Sequence, residues 1–157
     1  ITDGSSNLML ISDAGKAVYF NEKDARPMGR DTRGVKGITL EENQSVIALI
    51  MPNKHNEILT VSENGYGKRS KVEDFRKTKR GAKGVIAMQL SERNGKLISA
   101  NQVSDEDQVI LISDKGTLVR TKVSEISVIG RNTQGVRVIK LKANEKLNGM
   151  ALALEND

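Results

Sequence analysis

Three copies of one short motif divide this chain of 157 residues into units about fifty residues long. Each copy has a serine, a carboxylate and a glycine, at Ser12-Asp13-Ala14-Gly15, Ser62-Glu63-Asn64-Gly65 and Ser113-Asp114-Lys115-Gly116. A Gly-Val pair follows each copy, at Gly34-Val35, Gly84-Val85 and Gly135-Val136. Both anchors advance by 50 and then by 51 residues, so they belong to one repeating unit. A repeat of this length predicts a supersecondary unit that buries its apolar face only against neighbouring copies.

Each unit contains four segments of strand length. The first is a near-continuous apolar run, typical of strands covered on both faces, at 8–11, 58–61 and 109–112. It ends at the glycine turn, and a second strand follows at 17–20, 67–70 and 118–121. Alternating apolar residues after the Gly-Val pair predict a third strand within 35–40, 85–90 and 136–141. A last apolar run closes each unit, at 46–51, 97–103 and 147–154.

Four strands in about fifty residues predict an all-β fold in which each repeat forms one four-stranded blade of a propeller. The blades are expected at about 8–51, 58–103 and 109–154, as parts of one domain over 1–157. One short segment, 122–126, also tolerates a helix. The glycines of the Gly-Val pairs are expected to permit a bend or a close backbone approach, at Gly34, Gly84 and Gly135.

Composition narrows the classes of protein that remain. Aromatic residues make up 3% of the chain and tryptophan is absent, which predicts aliphatic cores and argues against WD-type propellers. The chain has no cysteine and therefore no disulfide or thiol chemistry. No apolar run approaches the ~20 residues that span a bilayer, and the first residues show no signal pattern. Because the chain begins with Ile1 rather than Met, we expect a piece of a longer cytoplasmic protein.

Positive charge is concentrated in two of the three repeats. The whole chain carries a net charge of +5, with a pI near 9.5. Residues 8–50 hold six basic and six acidic side chains, 58–103 hold ten and four, and 109–154 hold eight and three. Such a basic surface indicates a nucleic-acid partner, and the scarcity of aromatic residues favours duplex over single-stranded DNA.

The sequence predicts no catalytic or metal-ligating residues. His55 is the only histidine and has no cysteine beside it. The acidic segment 105–107 is interpreted as a solvated loop, and neither Tyr19 nor Tyr66 is expected to act as a nucleophile. The glycines at 81 and 84 lack the Gly-Lys-Ser/Thr ending of a Walker phosphate loop.

Longer motifs resemble the C-terminal domain of bacterial DNA gyrase A, over essentially the whole chain. They are Asn64-Gly65-Tyr66-Gly67-Lys68-Arg69, the segment 116–126, Gly130-Arg131-Asn132-Thr133-Gln134-Gly135-Val136, and the matching Gly29-Arg30-Asp31-Thr32-Arg33-Gly34-Val35. The hallmark box of that family, Gln-Arg-Arg-Gly-Gly-Lys-Gly, has only a degenerate counterpart here, Arg80-Gly81-Ala82-Lys83-Gly84. The intact box is therefore expected upstream of these residues.

The resemblance implies a β-pinwheel, which in that family is a propeller-shaped ring of six blades whose basic rim wraps duplex DNA. Three repeats would be half of such a ring. It further implies a holoenzyme on the bacterial chromosome, built from gyrase A and gyrase B as a heterotetramer that introduces negative supercoils. ATP, Mg²⁺ and DNA cleavage would belong to other parts of that enzyme, so that this chain is non-catalytic and holds no cofactor or metal.

Alignment of the repeats places basic side chains at recurring positions. Arg30, Arg80 and Arg131 share one position, Arg69 and Arg120 a second, and Lys71 and Lys122 a third. Lys and Arg bind phosphates by charge and without reading base sequence. The predicted DNA-contacting residues are Arg30, Arg33, Lys68, Arg69, Lys71, Arg76, Lys77, Lys79, Arg80, Lys83, Arg120, Lys122, Arg131 and Arg137.

Three other interpretations are kept. The equivalent domain of topoisomerase IV shares the fold, and its resemblance to this chain is weaker at residues 130–136. A propeller that binds only proteins would show no affinity for DNA. A stand-alone enzyme ranks third, because no nucleophile–base pair or ligand cluster is visible. In each case a partial ring would expose strand edges, which predicts self-association, and no membrane partner is expected.

Overall fold

The computed structural model describes residues 7–21, 45–52, 56–75, 85–130 and 133–153. Within them lie eleven strands: β1 Asn7–Ser12, β2 Lys16–Asn21, β3 Val46–Ile50, β4 Glu57–Ser62, β5 Tyr66–Lys71, β6 Val85–Ile86, β7 Leu97–Val103, β8 Gln108–Ser113, β9 Leu118–Lys122, β10 Val136–Arg137 and β11 Leu147–Ala153. The helices in these ranges are two three-residue 3-10 turns, Val72–Asp74 and Val123–Glu125, and neither could cross a membrane.

The predicted all-β fold is confirmed. The first and second strands of every repeat lie within one residue of the predicted segments, and β7 coincides with the predicted 97–103. The helix-tolerant segment contains the 3-10 turn Val123–Glu125. The third strands are shorter than predicted, since β6 and β10 have two residues each. The third strand of the first repeat, with its Gly34-Val35 pair, lies outside the described residues.

The strands form three antiparallel sheets, and two of them are shared between repeats. The strand orders are β3-β1-β2-β6, β10-β5-β4-β7 and β11-β8-β9. The second repeat thus supplies β6 to the first sheet, and the third repeat supplies β10 to the second sheet. A repeat therefore does not form a blade by itself, as its four strands suggested. Each completed blade combines three strands of one repeat with one strand of the next.

The serine motif has the same structural role in all three repeats. The serine Oγ accepts a hydrogen bond from the backbone N–H four residues later, in Lys16 at 3.4 Å, Tyr66 at 3.3 Å and Thr117 at 3.0 Å. The carboxylate accepts the N–H of a residue at or just before the closing strand, namely Ser45, Lys96 or Lys146. The glycines have φ of 80°, 88° and 83°, which favours glycine. The motif therefore closes each hairpin and ties it to the last strand of its repeat.

Two mostly aliphatic cores lie between successive sheets. Met9 and Ile11 of the first sheet pack with Ile58 and Leu97 of the second. On the other side of β4, the cluster contains Leu59 and Val61 with residues of the third sheet, Val109, Leu111 and Leu147. Strand β4 is thus covered on both faces, as its continuous apolar run predicted.

Candidate nucleic-acid interface

Most of the predicted DNA-contacting residues fall outside the described ranges. These are Arg30, Arg33, Arg76, Lys77, Lys79, Arg80, Lys83 and Arg131. The recurring arginine position of all three repeats is among them, so it stays a prediction. Six predicted residues can be placed, and they divide into two groups by burial: Lys71, Arg120, Lys122 and Arg137 are exposed, whereas Lys68 and Arg69 are buried.

The exposed group lies at strand ends and edges of the second and third sheets. Lys71 ends β5 and Lys122 ends β9, and each directly precedes a 3-10 turn, so the repeat places them at equivalent positions. The ammonium of Lys71 lies 3.9 Å from the carboxylate of Glu73, and both side chains are exposed. Such a surface pair is weak and leaves the lysine accessible to a phosphate.

Lys68 is fully buried, with no exposed surface. Its ammonium donates hydrogen bonds to the backbone oxygen of Gly130 at 2.8 Å and to the backbone oxygen and hydroxyl of Thr133 at 3.2 and 3.0 Å. These acceptors belong to the third repeat, in the segment that leads to β10. The structure thus gives Lys68 the role of joining two repeats.

Arg69 is 5% exposed and makes a similar junction. Its Nε donates to the backbone oxygen of Ile126 at 2.7 Å, and its guanidinium pairs with Glu57 at 3.3 Å and with Asp105. The backbone of Arg69 also exchanges hydrogen bonds with residues 127 and 129 of the third repeat. Because its Nε is bonded to Ile126 and its guanidinium is paired with Glu57 and Asp105, this buried arginine stabilises the contact between repeats.

A cluster that sequence reasoning did not predict lies where β5 meets β10. The phenol oxygen of Tyr66 accepts a hydrogen bond from Arg93 Nε at 2.9 Å and another from Arg137 Nη2 at 3.2 Å. The two guanidinium carbons lie 5.3 and 5.5 Å from the centroid of the Tyr66 ring. These two hydrogen bonds, first from Arg93 and then from Arg137, lower the pKa of Tyr66 below its ordinary value. We call Tyr66, Arg93 and Arg137 the Tyr66 cluster.

Topology explains why the sequence did not reveal this cluster. Arg137 faces Tyr66 because the third repeat lends β10 to the second sheet, and the two residues are paired in that register. Arg93 lies in a loop, outside the dense basic run at 68–83. The signal that could have found it is the combination of a tyrosine just after the glycine turn with an arginine in the following loop.

Glu145 is the buried carboxylate of the third repeat, with 6% of its surface exposed. The backbone N–H of Lys142, followed by the hydroxyls of Ser113 and Thr117, holds the pKa of Glu145 at about 2. The equivalent residue of the second repeat, Asn94, likewise accepts a backbone N–H three residues earlier, from Ser91 at 2.7 Å. Within the described residues, no group of three or more His, Cys, Asp and Glu side chains is arranged to hold a metal ion.

The sheets are antiparallel, two of them are completed by a strand of the next repeat, and basic side chains lie at their exposed ends. These features define a β-propeller domain built from repeats. The family model described as "DNA gyrase C-terminal domain, beta-propeller" matches residues 6–53, 56–104 and 107–153. The chain therefore belongs to this family.

Curated relatives agree with that assignment. The DNA gyrase A protein of Pseudomonas aeruginosa is 51% identical over 150 residues, a match that covers 96% of this chain and 16% of the relative. The DNA gyrase A protein of Escherichia coli is 47% identical over 155 residues, covering 99% and 18%. The chain thus spans less than a fifth of the length of these relatives.

Solved structures support the same fold. The C-terminal domain of DNA gyrase A superposes with a TM-score of 0.85 at 30% identity, covering 96% of this chain and 51% of that one. The C-terminal domain of DNA topoisomerase IV gives 0.86 at 25% identity, covering 96% and 47%.

Proposed function

We propose that this domain binds and wraps duplex DNA as part of a DNA gyrase, a type II topoisomerase that introduces negative supercoils. The observation that carries the proposal is the match of all three repeats to the gyrase family, with high identity to gyrase A relatives. The basic charge of the second and third repeats supports it, because cations at a protein edge attract the phosphate backbone.

The mechanism we propose is mechanical. Basic side chains along the blades hold phosphates without reading bases, and the duplex bends as it follows the blades. The bent segment is then presented as a crossing to the cleavage core of the holoenzyme. We place DNA cleavage, ATP and Mg²⁺ in other parts of gyrase A and in gyrase B, and the assembly in the bacterial cytoplasm on the chromosome.

The DNA-contacting residues proposed for this mechanism are those whose side chains are exposed and those outside the described ranges. The exposed set is Lys71, Arg120, Lys122 and Arg137. The second set is Arg30, Arg33, Arg76, Lys77, Lys79, Arg80, Lys83 and Arg131. Lys68 and Arg69 are left out of the proposed contacts, because their donors are already bonded inside the domain.

A salt titration tests the proposal. Duplex affinity measured by fluorescence anisotropy should fall steeply as salt rises, and a variant with Arg120→Gln and Lys122→Gln should lower the slope by about 0.9 for each phosphate that is no longer neutralised. The double variant with Lys115→Gln and Lys140→Gln is the charge-matched control, because both lysines are exposed and neither is a proposed contact. Affinity that is insensitive to salt, or absent at low salt, would overturn the proposal and favour a protein-binding propeller.

The domain of topoisomerase IV is the second candidate, since its structure superposes equally well. Ligation of nicked circular DNA in the presence of the chain distinguishes the two. Wrapping of the gyrase type should trap a larger change in linking number per bound chain than weak wrapping would. Relatives at 47% and 51% identity favour gyrase.

We also propose that the chain self-associates through the third sheet. In the described residues β9 is paired on one side only, Gly116 has no atom within 4 Å of the position that a Cβ would take, and Leu118 is 66% exposed. An open strand edge with an exposed leucine attracts another strand. Sedimentation velocity should show a concentration-dependent dimer that Leu118→Lys weakens at least several-fold. A chain that stays monomeric at all concentrations would rule this out.

A further inference from the structure

We propose that the Tyr66 cluster is an anion-binding clamp, in which Arg93 and Arg137 together hold the oxygens of one phosphate group and Tyr66 sets their positions. The proposed function does not assign this site, and it adds Arg93 and Tyr66 to the residues that act on phosphate. For DNA as the source of the phosphate, the inference rests on the proposed function. For a free phosphate it does not.

Two like charges converge on one oxygen atom in the Tyr66 cluster. Two donor nitrogens contact the same phenol oxygen, at 2.9 and 3.2 Å, so they lie no more than about 6 Å apart. Within the described residues, neither guanidinium has a carboxylate within ion-pair distance. Two cations held this close repel each other, and an anion between them would relieve the repulsion. Each guanidinium spends one donor on Tyr66 and keeps others for a ligand.

The members of the Tyr66 cluster differ in exposure to solvent. Arg93 and Arg137 are exposed, whereas the residue that orients them, Tyr66, is only 5% exposed. The ring of Tyr66 therefore provides a fixed support, with the guanidinium carbons 5.3 and 5.5 Å from its centroid. Planar guanidinium groups that are oriented before binding match phosphate oxygens in paired hydrogen bonds.

Hydrogen bonds fix the backbone around Arg93 from two sides. The amide of Asn64 donates to the backbone oxygens of Glu92 and Arg93, at 3.2 and 3.1 Å. The amide of Asn94 donates to the backbone oxygen of Gln134 at 3.2 Å, which ties the same loop to the segment before β10. The two arginines come from different repeats, and these bonds hold their backbones in one frame.

The cluster is specific to one junction. In the third repeat the positions equivalent to Tyr66 and Arg93 hold Thr117 and Asn144. At the junction of the first two repeats, the pair equivalent to Tyr66 and Arg137 is Lys16 and Ile86. A charge run that merely keeps the surface solvated would not require a buried tyrosine at its centre. The site therefore differs from the recurring basic positions of the blades.

Tyrosine absorbance tests the clamp independently of DNA. The chain has two tyrosines, so in a Tyr19→Phe background the ultraviolet titration reports Tyr66 alone. Pyrophosphate should raise the measured pKa of Tyr66 in that background, because the anion offsets the guanidinium charges. Adding Arg93→Gln should abolish the response to pyrophosphate. If pyrophosphate leaves the titration of Tyr66 unchanged, the clamp does not bind free phosphate groups and this arm of the proposal is overturned.

Duplex binding tests the DNA source with a different signature. Because the clamp holds one phosphate, Arg93→Gln and the double variant with Arg137→Gln should each lower the salt slope by about 0.9 and affinity by roughly tenfold. Tyr66→Phe should weaken affinity by roughly threefold with an unchanged slope, since the phenol releases no counterion. Lys115→Gln serves as the charge control and Tyr19→Phe as the phenol control.

The outcomes separate this inference from the proposed function. If the wild-type chain binds duplex with a steep salt slope and the clamp variants bind with the same slope and affinity as Lys115→Gln, the clamp is not a DNA contact. The proposed function then stands. A double variant whose slope falls by about 1.8 indicates two independent phosphate contacts and overturns the shared clamp. A wild-type chain without duplex affinity overturns the proposed function, and the pyrophosphate titration then decides whether the clamp takes free phosphate.

Discussion

The second and third sheets are built from equivalent strands, but in the described residues only the second sheet is completed by a strand of the following repeat. In the second sheet the backbone oxygen of Gly65 accepts N–H groups of Val138 and Ile139 at 2.8 and 3.4 Å. In the third sheet the equivalent Gly116 has no atom within 4 Å of the position a side chain would take. Part of the chemistry of a blade therefore depends on the repeat that follows it.

Basic residues show the same dependence. Arg69 and Arg120 are separated by one repeat and occupy equivalent strand positions. Arg69 is 5% exposed because Ile126 of the next repeat accepts its Nε hydrogen, whereas Arg120 is exposed on β9. One residue type at one repeat position thus stabilises a junction in the second sheet and is available to a ligand in the third.

The largest loss of stability is expected when the buried ammonium of Lys68 is removed from the junction of the second and third repeats. Lys68→Ala should lower the free energy of unfolding by about 3 kcal/mol, because it removes the three hydrogen bonds that the fully buried ammonium makes to Gly130 and Thr133 of the third repeat. Urea denaturation followed by circular dichroism measures it. The exposed Lys71→Ala is the control and should stay within about 0.5 kcal/mol. Equal effects of the two variants would mean that Lys68 does not join the repeats.

Next in size is the contrast between two glycines in the same turn. Gly65 and Gly116 have φ of 88° and 83°, so alanine strains the backbone at both by about 1 kcal/mol. A Cβ at position 65 would also lie 2.7 Å from the backbone oxygen of Ile139. Gly65→Ala should therefore be more destabilising than Gly116→Ala by about 2 kcal/mol in the same urea assay. Equal losses would show that the backbone near Ile139 shifts without cost to accommodate the added Cβ.

A third difference between the sheets is the acid sensitivity that Glu145 gives to the third repeat. The pKa of Glu145 is lowered from 4.5 to about 2 by hydrogen bonds that the folded domain supplies. Its contribution to stability is therefore present above pH 4.5 and is lost as the pH falls towards 2. Glu145→Gln should flatten the dependence of unfolding free energy on pH across this window, and the exposed control Lys115→Gln should not. An unchanged profile in Glu145→Gln would contradict this assignment.

Most of the strand pattern was predictable because it is written in local sequence. Continuous apolar runs such as 58–61 and the glycine turns fix β4 and the hairpins without reference to other repeats. The third strands were overestimated because Ala87 and Met88 turn their N–H groups to Gly15 of the previous repeat, which ends β6 after Ile86. The alternation of apolar residues does not indicate that these N–H groups leave the strand pairing.

The sequence predicted a basic site, but it did not predict which basic residues are exposed there. Basic charge in the second and third repeats is visible in composition, and four of the predicted cations are exposed. Lys68 could not be told from a surface lysine, since its partners are backbone oxygens of another repeat and leave no mark in side-chain patterns. Arg93 was missed for the complementary reason, because it lies in a loop and its partner Tyr66 lies 27 residues away on β5.

Strand sharing between repeats also determines where the chain can be divided. Cutting between repeats at residues 104–107 would separate β10 from the sheet that it completes, although no strand is cut there. The repeats are interlocked, so one cannot be exchanged for a homologous unit without its neighbour's edge strand. Such links favour unfolding of the described sheets as one cooperative unit rather than repeat by repeat. Chimaeras of related chains should therefore fold when the crossover point lies just after β6 or β10. They should not fold when it lies between repeats, as at residues 104–107.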